Sequence, residues 1–152
     1  MLVRIIIVPR EAEIFIKPSN DVGILSRMYR ELAEDEKSDS PQTDMQYAQC
    51  MKGFLNRGDR AYLFMAGEKA VGYALIITDR KPLYLRHFYI CRGERRKGYG
   101  STAFHKLLHK LNTNDIDLDV FVWNERGIGF WTSLGFKPRA HLMRLESIIP
   151  SS

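Results

Sequence analysis

The chain has 152 residues, 45% of them hydrophobic and 27% charged, with a formal charge of +5. This composition suits one domain over residues 1–152 with a core of its own and excludes a disordered or low-complexity chain. No apolar run approaches the roughly 20 residues of a membrane span, and the opening MLVRIIIVPR lacks the length and cleavage pattern of a leader, so a cytoplasmic protein without membrane contact is expected.

In chain order, Leu2 to Val8 is a β-branched run stopped by Pro9, making residues 1–12 an extra N-terminal strand segment, and Glu13 to Lys17 reads as a second short strand. Asn20 can cap a helix whose inward positions are Val22, Leu25, Met28, Tyr29 and Leu32. Thr43 can cap another, carrying Met45, Ala48, Met51 and Leu55 and closing near Gly58. Ala61 to Ala66, Ala70 to Thr78 and Leu83 to Ile90 then read as three strands joined by hairpin-length turns. Gly98 to Leu111 returns to helical spacing, Ile116 to Val122 is a strand, Glu125 to Leu134 a helix ended by Gly135, and His141 to Leu145 alternates like a closing strand. The order predicts an α+β or mixed α/β sheet, not a helical bundle.

Two opposite charge runs stand out. Arg86, Arg92, Arg95, Arg96 and Lys97 crowd one stretch; Glu31, Glu34, Asp35, Glu36 and Asp39 crowd another. The basic run leads into Gly98 and Gly100, between a strand end at Ile90 and a helix start, where backbone N–H groups lack intrahelical partners. Such a helix end attracts phosphate, glycines allow the main chain to approach it, and Ser101 or Thr102 can add a hydroxyl, so the loop reads as a diphosphate cradle. It is not a Walker loop, since no GK[ST] follows its glycines, and it is not GxGxxG.

Several side chains read two ways. His87 titrates in a useful range, yet by alternation it shares a face with Leu83 and Leu85 and suits a core; Tyr84, Arg86 and Phe88 fall on the other face. His105 and His109 are four apart on a helix, without an evident third ligand, so no metal is expected. Cys50 and Cys91 have no paired spacing and read as independent thiols. Trp123 reads as a pocket wall or as core packing.

Arg95, Gly98 and Gly100 stand in the register R/Q-x-x-G-x-G/A, preceded by the strand-ending Ile90. VFVWNERGIGFWTSLGF adds Asn124, Gly127, Phe130, Trp131, Gly135 and Phe136. From Ile14 to Leu145 the sequence resembles the Gcn5-related N-acetyltransferases, the GNAT family. That resemblance implies a mixed, mostly antiparallel, splayed sheet flanked by helices. It implies acetyl-CoA as cosubstrate, held by Phe88, Ile90, Arg95, Arg96, Lys97, Gly98, Tyr99, Gly100, Ser101, Thr102, Asn124 and Trp131, and direct attack of a primary amine on the thioester in a ternary complex, with the Ile90 N–H for the oxyanion.

The family's acid is commonly a tyrosine where this chain has Trp131, and an indole N–H only donates hydrogen bonds. His87 and Tyr89 are candidate catalytic groups; Glu34 or Glu36 could act as base or hold the acceptor, and Tyr29 or Tyr99 could supply a proton. Local field governs approach, so the acidic run suggests a cationic acceptor: a polycationic small molecule, or the amine of a peptide or protein. A nucleic-acid partner is disfavoured, and a homodimer is one assembly such a domain could form. The competing function is a catalytically silent acyl-CoA-binding or regulatory module, motivated by Trp131.

Overall fold

A meander of four antiparallel strands, widened by one parallel strand, forms the middle layer of the computed structural model, which describes residues 13–147. The elements run β1 (Phe15–Pro18), α1 (Val22–Asp35), α2 (Asp44–Asn56), β2 (Arg60–Ala66), β3 (Lys69–Ile77), β4 (Leu83–Ile90), α3 (Tyr99–Leu111), β5 (Ile116–Asp117) and α4 (Glu125–Ser133). The sheet order is β1-β2-β3-β4-β5; every neighbouring pair is antiparallel except β4 with β5. The expected Leu2 to Val8 strand lies outside the described residues.

Two apolar clusters, one on each face of the sheet, account for the layering. On one face Leu25, Met28 and Leu32 of α1 and Met51 of α2 pack against Leu63, Tyr73, Leu75 and Tyr89. On the other, Ala103, Phe104 and Leu107 of α3 pack against Phe64, Val71, Ala74, Ile76 and Leu85, with Trp131, Leu134 and Phe136 closing over them. Each fully buried side chain of this size contributes roughly 1.5–3 kcal/mol. In α1 the positions 25, 28 and 32 follow the helical period as expected. In α2 the inward residues are Tyr47 and Met51, while Met45 is 71% exposed.

The starts of α1, α2 and α4 are set by side-chain caps. Asp21, not Asn20, caps α1, its Oδ1 accepting the Ile24 N–H at 3.2 Å. Both residue types are competent, and the start of the helix at Val22 selects the nearer one. Thr43 caps α2 in a reciprocal box with Gln46, and Asn124 caps α4 by accepting from Gly127. Gly127 is needed there, because a Cβ would stand 2.4 Å from the Asn124 amide nitrogen.

The feature that positions the site is a bulge in β4. Leu75 pairs with His87 but Ile76 pairs with Leu85, so Arg86 is the extra residue and the alternation changes phase across it. Leu83 and Leu85 therefore share the α3 face with Phe88 and Ile90, whereas His87 and Tyr89 turn to the α1 face. This corrects the strict alternation that grouped His87 with Leu83 and Leu85.

Beyond the bulge the sheet opens. β5 pairs with β4 only at Leu83 and Tyr84, so the strand expected over Ile116 to Val122 has ladder pairing at its first two residues alone. The expected closing strand His141 to Leu145 joins no ladder; Leu142, Met143 and Leu145 are 89%, 84% and 98% exposed, and Arg144 reaches Asp39 at 3.3 Å.

Candidate active site

The C-terminal half of β4 presents a free edge to the opening. Cys91 donates its N–H to the Val71 carbonyl at 2.8 Å. Because strand N–H groups alternate sides, the Ile90 N–H points the other way, toward the edge that β5 leaves unpaired. The Ile90 carbonyl faces that side too and accepts from Arg95 Nε at 3.0 Å.

The loop after β4 forms a short 3-10 turn over Arg92–Glu94 and then enters α3 through Gly98. Gly98 has φ +76 and no side-chain cap, in contrast to the first residues of α1, α2 and α4. A Cβ built on Gly98 meets nothing within 4 Å, so its outer side is open. The first-turn amides of α3, including those of Tyr99, Gly100 and Ser101, thus have neither an intrahelical nor a side-chain partner. Gly100 serves packing: a Cβ there would come within 3.2 Å of the Phe130 ring. Ser101 is exposed and Thr102 half-buried in the same turn.

Most of the loop's cations are already engaged. Arg92 Nε meets Asp35 Oδ1 at 2.7 Å, and the Arg95 guanidinium pairs with the other Asp35 oxygen. Lys97 holds Glu94 at 2.9 Å, and Lys69 pairs with the same buried carboxylate. Arg96, at φ +66, has no ion pair among the described residues. The anion-binding capacity of the loop therefore rests on its amides and Arg96 more than on the summed charge of the run.

The acidic run is spoken for to the same degree. Glu31 accepts the Tyr89 hydroxyl at 3.0 Å, Glu34 lies 3.8 Å from Arg30 and 3.7 Å from Arg92, and Asp39 takes Arg144. Burial alone would push the Asp35 carboxyl up, but its bonds to Arg95 and Arg92 outweigh that and hold it below its ordinary value. Glu36 has no side-chain hydrogen bond or ion pair among the described residues. Burial, with the neighbouring Asp35 adding to it, raises its pKa to about 7.

Opposite Glu36 stands Trp123, from the segment between β5 and α4. Its Nε1–H donates to the Glu36 carbonyl at 2.9 Å, and its ring stacks on Phe121 at 4.5 Å with planes 10° apart. This bond ties the end of α1 to the far side of the opening. Glu36 and Trp123 are 87 residues apart, and no local pattern signals their meeting.

The other candidates are placed as follows. His87 is buried, 4.2 Å between centroids from Tyr29, with Nδ1 3.0 Å from the Tyr73 hydroxyl. Burial, and secondarily Arg86, lowers its pKa to about 3, so it is a neutral and weak base near pH 7. Burial and Glu31 together raise the Tyr89 hydroxyl well above its ordinary value. Trp131 packs among Phe88, Phe104, Phe130 and Phe136, at centroid distances of 5.1, 5.5, 4.8 and 5.3 Å. Tyr99 opens α3, with Lys97 Nζ 5.9 Å from its ring. Asn124 is occupied as the α4 cap. The Cys91 thiol is pushed up by burial and then by Glu31, which disfavours a thiolate. Among the described residues no three His, Cys, Asp or Glu side chains gather to hold a metal ion, and no helix is long and apolar enough to cross a membrane.

A free strand edge carrying an outward amide, followed by an uncapped glycine-led helix, suits acyl transfer. Solved structures share the fold. A possible acetyltransferase from Clostridium difficile 630 superposes with a TM-score of 0.69 at 18% identity, covering 90% of this chain and 98% of its own. Aminoglycoside N-acetyltransferase AAC(6')-Iy, in complex with CoA, gives 0.62 at 17%, covering 93% and 99%. An acetyltransferase from Thermus thermophilus gives 0.66 at 17%, covering 84% and 88%. By direct sequence comparison the chain matches no curated protein. The family model described as "Acetyltransferase (GNAT) family" matches residues 25–136, from the first turn of α1 to the end of the second signature, and the chain belongs to that family.

Proposed function

We propose that the protein is an N-acetyltransferase that moves the acetyl group of acetyl-CoA to a primary amine by direct attack within a ternary complex. The observation that carries this reading is the outward Ile90 N–H on an unpaired strand edge, next to the uncapped, open-sided start of α3. The cosubstrate supplies an activated acetyl thioester: the amine nitrogen forms a bond to the carbonyl carbon, and the carbon–sulfur bond breaks.

The chain's own groups have separable tasks. Amides of the first α3 turn, with Arg96, bind the diphosphate, and the unpaired β4 edge orients the thioester arm. The Ile90 N–H donates to the oxygen on which negative charge develops. Glu36, ionised above about pH 7, takes the proton that the attacking nitrogen must lose, directly or through water. No ordinary acid stands at Trp131. A thiol with a pKa of about 8.5 is a tolerable leaving group as its thiolate, so the lack lowers the rate without forbidding turnover. Positioning supplies the remainder.

The second reading, a silent acyl-CoA-binding module, is favoured by one specific observation, the enclosure of Trp131 in an aromatic cluster where the family commonly has an acid. Calorimetric titration of acetyl-CoA, followed by CoA release and mass analysis of a panel of primary amines, separates the two. Binding with acetylated product supports the enzyme. Binding without any product supports the silent module. Absence of binding overturns both.

A further inference from the structure

An acidic run invites a polycationic acceptor, but the structure leaves little of that run available. Glu31 is bonded to Tyr89, Glu34 lies between Arg30 and Arg92, Asp35 is held by Arg92 and Arg95, and Asp39 by Arg144. Within this run, among the described residues, a second positive charge on an acceptor would find no other carboxylate without an arginine or a hydroxyl on it, and would meet the guanidinium groups themselves.

Exposed apolar side chains gather near the end of α1 that bears Glu36. The Trp123 ring is 47% exposed, held in place by its bond to the Glu36 carbonyl and covered on one side by Phe121. Next to it Val122 is 78% exposed. The Arg144–Asp39 pair brings the run bearing exposed Leu142, Met143 and Leu145 to the same corner, three residues from Glu36 in the chain. Exposed apolar surface of this kind, rimmed by charge, is characteristic of a binding site.

Resting on the transferase reading above, we infer that the acceptor is a singly charged primary amine on an aromatic or aliphatic body, its nitrogen at Glu36 and its body against Trp123. Glu36 is the carboxyl of the acidic run that has no ion pair or side-chain hydrogen bond among the described residues. The ring face of Trp123 takes the flat or apolar stem through contact. Charge complementarity fixes the head, and the apolar corner selects the body.

The test is CoA release at saturating acetyl-CoA with 2-phenylethylamine and with spermidine, on the wild type, Glu36→Gln and Trp123→Ala. The expected result is kcat/KM for 2-phenylethylamine about tenfold above that for spermidine. Trp123→Ala raises KM for the aryl amine about fivefold, through loss of the aromatic contact, and barely changes that for spermidine, and Glu36→Gln lowers kcat/KM for the aryl amine about tenfold. Acetyl-CoA affinity, measured by calorimetry on the same variants, stays unchanged and reports an intact fold.

Preference for spermidine, or equal losses for both amines on Trp123→Ala, overturns the inference while leaving the transferase reading in place. Absence of CoA release and of acetylated product with every primary amine tested overturns the transferase reading and this inference together. A third arm addresses a second copy as the occupant of the apolar corner: sedimentation that detects a dimer dissociated by Leu142→Asp, with amine preference unaltered, assigns the corner to self-association and overturns its role in acceptor choice.

Discussion

Residues 31–39 and residues 92–102 carry the two charge runs of this chain, and they differ in what each has left once the fold has brought them together. They meet end to end: Asp35 is clamped by Arg92 and Arg95, and Arg92 also approaches Glu34. After that mutual neutralisation the basic stretch retains backbone amides and Arg96, and the acidic stretch retains Glu36. A charge run is thus a poor guide to a ligand until its internal pairs have been subtracted. What survives here is a cradle of dipoles on one side and a single titrating carboxyl on the other.

The largest expected effect comes from breaking the basic side at the atom that no side chain shields. Gly98→Asp is sterically admissible, because a Cβ meets nothing within 4 Å, and aspartate is among the residues that tolerate a left-handed conformation. The new carboxylate would face the open side proposed for the diphosphate, and like charges so placed cost several kcal/mol. Acetyl-CoA affinity should fall about a hundredfold in a protein whose circular dichroism is unchanged. Undiminished affinity would show that the α3 amides are not the anion site.

On the acidic side the expectation is a pH dependence. With its pKa raised to about 7 by burial and Asp35, Glu36 in its proposed role as base would act only in its ionised form, so kcat/KM should climb as pH rises through about 7 and level above it. His87, lowered to about 3, stays neutral over that range and contributes no limb. Glu36→Gln should abolish the climb. The same shift makes a stability claim: a carboxyl whose folded value lies above its unfolded one favours the folded state when protonated, so the wild type should lose stability between about pH 4.5 and 7 relative to Glu36→Gln. Denaturant titration at both ends of that window checks it.

How much of this could be read from the chain depends on distance along it. Leu83 to Ile90 shows its own ends, and Thr43 announces its helix, because ladders and caps are local. The bulge at Arg86 gives no such sign: an extra residue in a strand leaves composition and alternation looking ordinary, while every later side chain changes face. That single step moved His87 and Tyr89 to the α1 side and put Phe88 and Ile90 toward α3. The clamp on Asp35 joins residues 57 and 60 apart, and the Trp123 bond spans 87, so neither had a local signature. The outer part of the run after Asp117 has strand composition but no ladder, since the sheet has opened by then.

A smaller effect tests the clamp itself. Asp35→Asn removes the charge that Arg92 and Arg95 share, in a setting between exposed and buried, so a loss of about 1–2 kcal/mol at neutral pH is expected. The Asp35 carboxyl is held below its ordinary 3.8 in the folded protein, so this stabilisation is present above that value and disappears as pH falls through the folded one. Wild type and variant should therefore converge in stability in acid. A difference that persists at low pH would mean that the pair is held by packing rather than by charge.

The smallest expected change touches neither charge run and so isolates chemistry from binding. Trp131 lies in the aromatic cluster of Phe88, Phe104, Phe130 and Phe136, and a tyrosine there keeps most of the contact while adding an acidic hydroxyl at the place the family commonly uses. Trp131→Tyr should cost about 1 kcal/mol of stability, well short of the roughly 3–5 kcal/mol of a full aromatic truncation. Acetyl-CoA affinity should hold, because the α3 amides and Arg96 are unaltered. If protonation of the departing sulfur limits turnover, kcat should rise a few-fold below about pH 8, where an unassisted thiolate is the poorer leaving group, and the gain should fade above the thiol's own pKa of about 8.5. Burst-free progress curves at about pH 7 and about pH 9, on either side of that thiol value, decide it: a fall in both kcat and affinity at either pH would assign Trp131 to the frame of the opening, and a rise confined to the lower pH would assign it to the vacant place of the acid.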